Sequence, residues 1–297
     1  MFIKKARILR AITFCYTVSV SSKCHNFINR SFGFIERKLS VNRINWFCTL
    51  YFNFRTLPFN IACKLPVYIY GKIELVSLNG SVLFDCIPVK GMVKIGRHRD
   101  YYTPPTKTIV KISQLGQIVF RGYCNISQGT IINITDGCLT LGDRVWIGQS
   151  VLLDCNNSVQ LGEGTRIAYG CKFSDSNHHY IIDGDGNIPR IKGLIEIGRY
   201  NWIGNNTVIT KGCKTTDHTI CTHGSLLNKN YPQKYDSNES MLLAGTPAKL
   251  LKVGYQRINS AKLENEIIDF FKTHPNESVM SMHLPLVNNT CELIYYK

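Results

Sequence analysis

The chain has 297 residues, 44% of them hydrophobic, enough to bury a substantial core, and it reads as one elongated domain with appendages. Its 35 Lys and Arg against 20 Asp and Glu leave a net charge of +15, a field that favours anionic partners. Nucleic acid is the weakest of these, since there is no dense Lys/Arg run and no zinc-finger spacing, and the 12 scattered cysteines, with no CxxC pair, read as free thiols in a reducing cytoplasm rather than a disulfide scaffold.

Residues 1–56 are basic and aromatic, beginning MFIKKARILRAITFCYTVSV. Arg10 interrupts the apolar run, no clean cleavage pattern follows, and the run is far short of the roughly 20 residues that span a bilayer. The segment is therefore expected to be a partly helical extension. It either lies on an anionic membrane surface or packs on the body of the protein.

From Leu57 to about Ile95 the text turns to short β-rich runs, KLPVYIYGKIELVSLNGSVLF and GMVKIG. Residues 97–107, RHRDYYTPPTK, read as a polar and aromatic loop in which His98 is a surface histidine. A period of six begins near Phe120 and passes through Ile126 and Ile132. An insertion at 136–138 shifts it before Leu141, Ile147 and Leu153, and a second slip falls at Val159 before Leu161, Ile167 and Phe173. After a break it resumes at Ile197, Ile203 and Ile209, then Thr215, Cys221 and Leu227.

A helix repeats apolar residues three and four apart and a simple strand two apart, so a period of six fits neither. It fits a solenoid in which each segment makes one flat side, the aliphatic residue points to the axis, and a following Gly allows the turn. Three sides close one coil, and stacked coils pair as parallel strands about 4.8 Å apart. The stretch 177–194 cannot join the stack and must loop out, carrying His178 and His179 on a rigid scaffold, where chemistry is usually placed. Beyond a polar turn at 230–240, residues 256–273 have partial helical spacing and are expected to cap the open end of the stack.

Three segments, LGDRVWIGQS at 141–150, IEIGRYNWIGNNTVITKG at 195–212 and AGTPAKLLK at 244–252, resemble the hexapeptide-repeat acyltransferases. YFNFRTLPF, KLPVYIYGKIEL and GMVKIG extend the resemblance upstream, toward bacterial members associated with surface polysaccharides, so that it covers about residues 50–255. The resemblance implies an all-β fold, a left-handed parallel β-helix. It divides the chain into a basic N-terminal extension at 1–56, a β-helix acyltransferase domain at 57–254 with an active-site loop at about 175–194, and a C-terminal helix and tail at 255–297.

The resemblance also implies a function, O-acetyl transfer from acetyl-CoA to a sugar hydroxyl in surface polysaccharide synthesis. Such a reaction needs a base for the hydroxyl proton, and imidazole titrates near operating pH. The family pattern Asp-x-Asp-x-His falls on Asp175, Asn177 and His179, with His179 as base, Asn177 where a second acid is expected, and Asp175 or Asp183 orienting the ring. His178 is expected to point elsewhere. Coenzyme A contacts are implied at Trp202, Asn206, Lys211, Gly212, Thr222, His223, Gly224 and Ser225, with Gly245 to Lys249 near the nucleotide and Lys249 meeting a phosphate as a point charge. The implied assembly is a cytoplasmic homotrimer, in peripheral contact with an anionic inner membrane at most, without metal. Three alternatives stay open: N-acylation of an amino sugar, a non-enzymatic glycan-binding or structural solenoid, and a zinc lyase drawing on His178, His179, His218 and His223.

Overall fold

The computed structural model describes residues 43–98, 104 and 106–281. The expectations for residues 1–42, for the middle of loop 97–107 and for the end of the C-terminal tail lie outside the described residues.

Short strands run around a common axis, three to a coil. The first coil is β1 (Val67–Ile69), β2 (Ile73–Leu78) and β3 (Ser81–Phe84), and the second is β4 (Val93–Arg97), β5 (Thr108–Ile112) and β6 (Gln117–Phe120). The third is β7 (Cys124–Ser127), β8 (Ile131–Ile134) and β9 (Cys138–Leu141), and the fourth is β10 (Val145–Ile147), β11 (Leu152–Cys155) and β12 (Ser158–Leu161). The fifth holds β13 (Arg166–Ile167), β14 (Lys172–Ser174) and, after the long loop, β15 (Leu194–Ile197). Two shorter coils follow, with β16 (Trp202–Ile203) and β17 (Val208–Thr210), then β18 (Ile220–Cys221) and β19 (Leu226–Leu227); the hairpin β20 (Met241–Gly245) and β21 (Ala248–Val253) comes last.

Every third strand pairs through the fifth coil and every second one in the shorter coils after it, which gives sheets of nine, seven and five strands. Apart from the antiparallel β20–β21 hairpin, the ladders are parallel. The register stacks like on like: Ile126, Ile147, Ile167 and Ile203 on the first sheet, Ile132, Leu153, Phe173 and Ile209 on the second. All are buried, and each aliphatic side chain fully withdrawn from water stabilises the stack by about 1.5–3 kcal/mol.

The two phase slips in the six-residue period have one origin. On the third sheet both Leu139 and Leu141, and both Val159 and Leu161, point inward along a single strand, so that side of the coil is longer than the others. In the last two coils this side shrinks to isolated bridges through Lys214. The Gly after the aliphatic residue is required where coils approach: a Cβ on Gly204 would lie 2.6 Å from the backbone nitrogen of His223.

Four helices are described: α1 (Trp46–Thr56), α2 (Phe59–Ala62), α3 (Tyr231–Tyr235) and α4 (Ala261–Thr273). Helix α1 starts at Asn45, whose side chain accepts from the Cys48 amide, and buries Thr49, Phe52 and Asn53 against the first coil. Helix α4 begins at the Ser260 cap and buries one residue, Leu263; at that end of the stack, the edge of the first sheet is occupied by β21. His98, directly after β4, is buried, 6% exposed, rather than at the surface. Among the described residues no helix is long and apolar enough to cross a membrane.

Candidate active site

The long loop leaves the stack after β14 and returns at β15, at the corner between the second and third sheets. Its neck is a short antiparallel pairing: Ser176 bridges Lys192, and the Asn177 amide donates to the Ile191 carbonyl at 3.0 Å. Asp175 ties the neck to the coil beneath, its carboxyl oxygens accepting from the amides of Asn156 at 2.7 Å and Asn157 at 2.8 Å. It is fully buried and so occupied that it orients no imidazole.

The ring that acquires an acidic partner is His178. Its Nε2 lies 2.7 Å from Oδ2 of Asp154, whose side chain is 10% exposed, while the imidazole is half exposed. Asp154 is held in turn by Asn133, whose Nδ2 donates to Oδ1 at 2.7 Å; the Ser174 hydroxyl lies 3.3 Å from Oδ2 and has the Ser176 carbonyl at 2.9 Å as its nearer acceptor. Asn133, Asp154 and Ser174 sit at one register position on successive strands, β8, β11 and β14, directly after the inward residues Ile132, Leu153 and Phe173. Their side chains therefore form a polar column on the outer face of the second sheet.

Histidine 179 is exposed; its amide donates to the Asn177 carbonyl at 2.7 Å, and its imidazole meets no hydrogen-bonding partner among the described residues. Asn177 is exposed beside it. The acidic partner thus falls to His178, the ring expected to point elsewhere, and His179, expected as the base, has none among the described residues. The cause is His178 itself, at φ 59°, which breaks the extended backbone that the expectation assumed; its amide is satisfied by Ser176 Oγ at 3.1 Å. Asp183, the alternative orienter, is exposed and engaged within the loop, where the Asn187 amide and side chain hold its carboxyl below the usual carboxylate range.

A proton on Nε2 of His178 is donated to Asp154, and Nδ1 then offers its lone pair to solvent or substrate. Beside the loop lies a cleft of about 780 Å³ lined by Asn157, Tyr180 and residues 188–194.

The residues expected to contact coenzyme A fall into separate groups. Lys211 and Gly212 share the loop's corner: Lys211 Nζ donates to the Arg190 carbonyl and the Gly212 amide to Leu194 at 2.8 Å. Asn206, Thr222, Gly224 and Ser225 gather at the corner between the first and second sheets, where the Gly245 amide donates to Ser225 Oγ at 3.2 Å and Thr246 Oγ1 to the Gly224 carbonyl at 3.1 Å. His223 is exposed at the same turn. Trp202 stands on the outer face of the first sheet with the Arg257 guanidinium 5.9 Å from its ring centre, and Lys249 lies on β21. The Lys234 amine first, and the charge of Lys249 to a lesser extent, hold the Lys229 ammonium below the usual lysine range. Among the described residues no three His, Cys, Asp or Glu side chains are placed to hold a metal ion.

No protein-family model matches the chain. Over 125 residues it is 28% identical to the putative lipopolysaccharide biosynthesis O-acetyl transferase WbbJ of Escherichia coli (strain K12). The chain resembles the hexapeptide-repeat acyltransferases. That match covers 39% of this chain and spans 61% of the relative's length. Among solved structures, the chain overlays the polySia-specific acetyltransferase NeuO at TM-score 0.44 and 21% identity, over 74% of this chain and 91% of that one. AntD, an N-acyltransferase from Bacillus cereus in complex with dTDP and 3-hydroxybutyryl-CoA, overlays at TM-score 0.35 and 13% identity, over 69% and 88% of the two chains. At these TM-scores neither overlay assigns a role to a residue.

Proposed function

We propose that this chain transfers an acyl group, acetyl in the simplest case, from a coenzyme A thioester to a sugar hydroxyl in surface polysaccharide synthesis. The observation that carries the reading is the 2.7 Å pair of His178 with buried Asp154, at the neck of a loop on a stack of parallel coils. The partial match to a putative lipopolysaccharide O-acetyl transferase supports the substrate class.

In this reading Nδ1 of His178 takes the acceptor hydroxyl proton as the oxygen attacks the thioester carbonyl. The bond to sulfur breaks, and the proton passes to the departing thiolate. Asp154 keeps the imidazole in one tautomer and offsets the charge it gains. The cationic group of Lys229, Lys234 and Lys249 suits the phosphates of coenzyme A, and the turn at Thr222, Gly224 and Ser225 suits its extended arm. A left-handed coil, a homotrimer and a cytoplasmic setting, where acetyl-CoA is made, belong to the same proposal.

The test is release of free thiol from acetyl-CoA across a panel of sugars and nucleotide sugars. One acceptor stimulates release in the native chain, His178→Ala loses about 10²-fold or more, and His179→Ala stays close to native. Asp154→Asn lowers kcat with KM little changed. Loss confined to His179→Ala moves the base to that residue, and release indifferent to every acceptor overturns the transferase reading.

A further inference from the structure

Helix α1 has a second apolar face. Thr49, Phe52 and Asn53 turn inward, yet Phe47, Leu50, Tyr51 and Phe54 on the outer side are 80, 44, 49 and 46% exposed, and Trp46 on the flank is 51% exposed. Helical spacing places Trp46, Leu50 and Phe54 in one row with Phe47 and Tyr51 beside it. Phe59 of α2, 75% exposed, continues the surface, and its ring lies 5.9 Å from that of Phe54. Trp46 is propped edge-on against Tyr68 at 5.8 Å. Isolated exposed apolar side chains are ordinary, but a contiguous aromatic patch of this size on one helix marks a contact surface.

The surrounding charge says what it contacts. From Arg43 to Ile73 there is no Asp or Glu, while Arg43, Arg55, Lys64 and Lys72 are exposed. Residues 1–42 carry eight Lys and Arg against the single acid Glu36. A second copy of this face, or the basic segment that precedes it, would bring like charge against like. An anionic sheet of phosphates over hydrocarbon matches both components.

We propose that the outer face of α1 docks on an anionic lipid membrane surface. Trp46 and Tyr51 sit at headgroup level, Phe47, Leu50 and Phe54 enter the acyl boundary, and the flanking basic residues meet lipid phosphates. The proposal is independent of the acyltransferase reading.

The experiment uses the full chain with vesicles of phosphatidylcholine, with and without phosphatidylglycerol, read by co-sedimentation and by tryptophan emission. The native chain partitions onto the anionic vesicles, more weakly in high salt, with a blue shift that Trp46→Phe removes. The double variant Phe47→Glu, Phe54→Glu binds at least roughly tenfold more weakly at an unchanged melting temperature, because its substitutions point away from the fold. Native-like vesicle binding by that variant overturns the proposal, since residues outside α1 would then hold the lipid. So does a native chain that ignores anionic vesicles, or a double variant whose solution mass falls, which would show the face covered by a second copy.

Discussion

His178 and His179 are adjacent, yet a single backbone angle separates their environments. The φ of 59° at His178 swings its ring over the second sheet, where Asp154 waits on a neighbouring coil. That the loop carries two adjacent histidines was legible in the sequence; which of them meets an acid was not, because the pairing depends on a left-handed residue and on a partner 24 positions earlier in sequence. A signal for the partner existed, since Asn133, Asp154 and Ser174 each follow an inward residue of the repeat. A second histidine gives a pH-dependent prediction. His218, stacked 5.2 Å from Tyr200, has its pKa lowered from the ordinary 6.5 first by burial. The folded state therefore disfavours the charged ring, and its contribution to stability is complete above about pH 6.5 and lost as pH falls through that value toward the folded pKa. His218→Phe keeps a ring on Tyr200 but not the titration. Its melting temperature should fall less than that of the native chain between pH 7.5 and pH 5.5, and equal falls in the two proteins would rule the mechanism out.

At the scale of elements, the start of the stack poses a problem that α1 solves. Strand β1 is the edge of the nine-stranded sheet, and an open edge leaves amides and carbonyls unpaired. The Asn53 side chain behaves there as a peptide would: Nδ2 donates to the Val67 carbonyl at 2.7 Å, and Oδ1 accepts from the Val67 amide at 3.2 Å. Thr49 Oγ1 accepts from the Ile69 amide at 3.0 Å. Asn53→Ala leaves both Val67 groups buried and unmet and should cost about 2–3 kcal/mol of stability in denaturant unfolding. A cost below about 0.5 kcal/mol would mean that water serves the edge equally well. Sequence alone placed a partly helical segment in this region but not this pairing, because Asn and Thr in a helix announce nothing until the strand they face is known.

For the whole molecule, the ladder of buried aliphatic residues accounts for rigidity along the axis, and the loop at the fifth coil is the main departure from it among the described residues. Large apolar side chains also remain exposed on the sides of the stack, Ile131, Tyr169 and Leu194 among them. In the trimer we propose, such surface is shared between stacks. Light scattering at micromolar concentration should then give a mass near three times 33.7 kDa. A mass equal to one chain would remove the trimer and any site that depends on a neighbouring stack.

The six-residue period by itself determined a stack of parallel coils, one inward residue on each side from Phe120 onward and the place where the loop leaves, because periodicity is a local property that each side of a coil repeats. The tertiary structure alone decided that the third side is longer than the others, that α1 completes an open sheet edge, and that Asp154 meets His178. The last two depend on residues 14 and 24 positions apart in sequence and a few ångströms apart in space, and the first on how each strand pairs with the coils on either side, none of which a local period specifies.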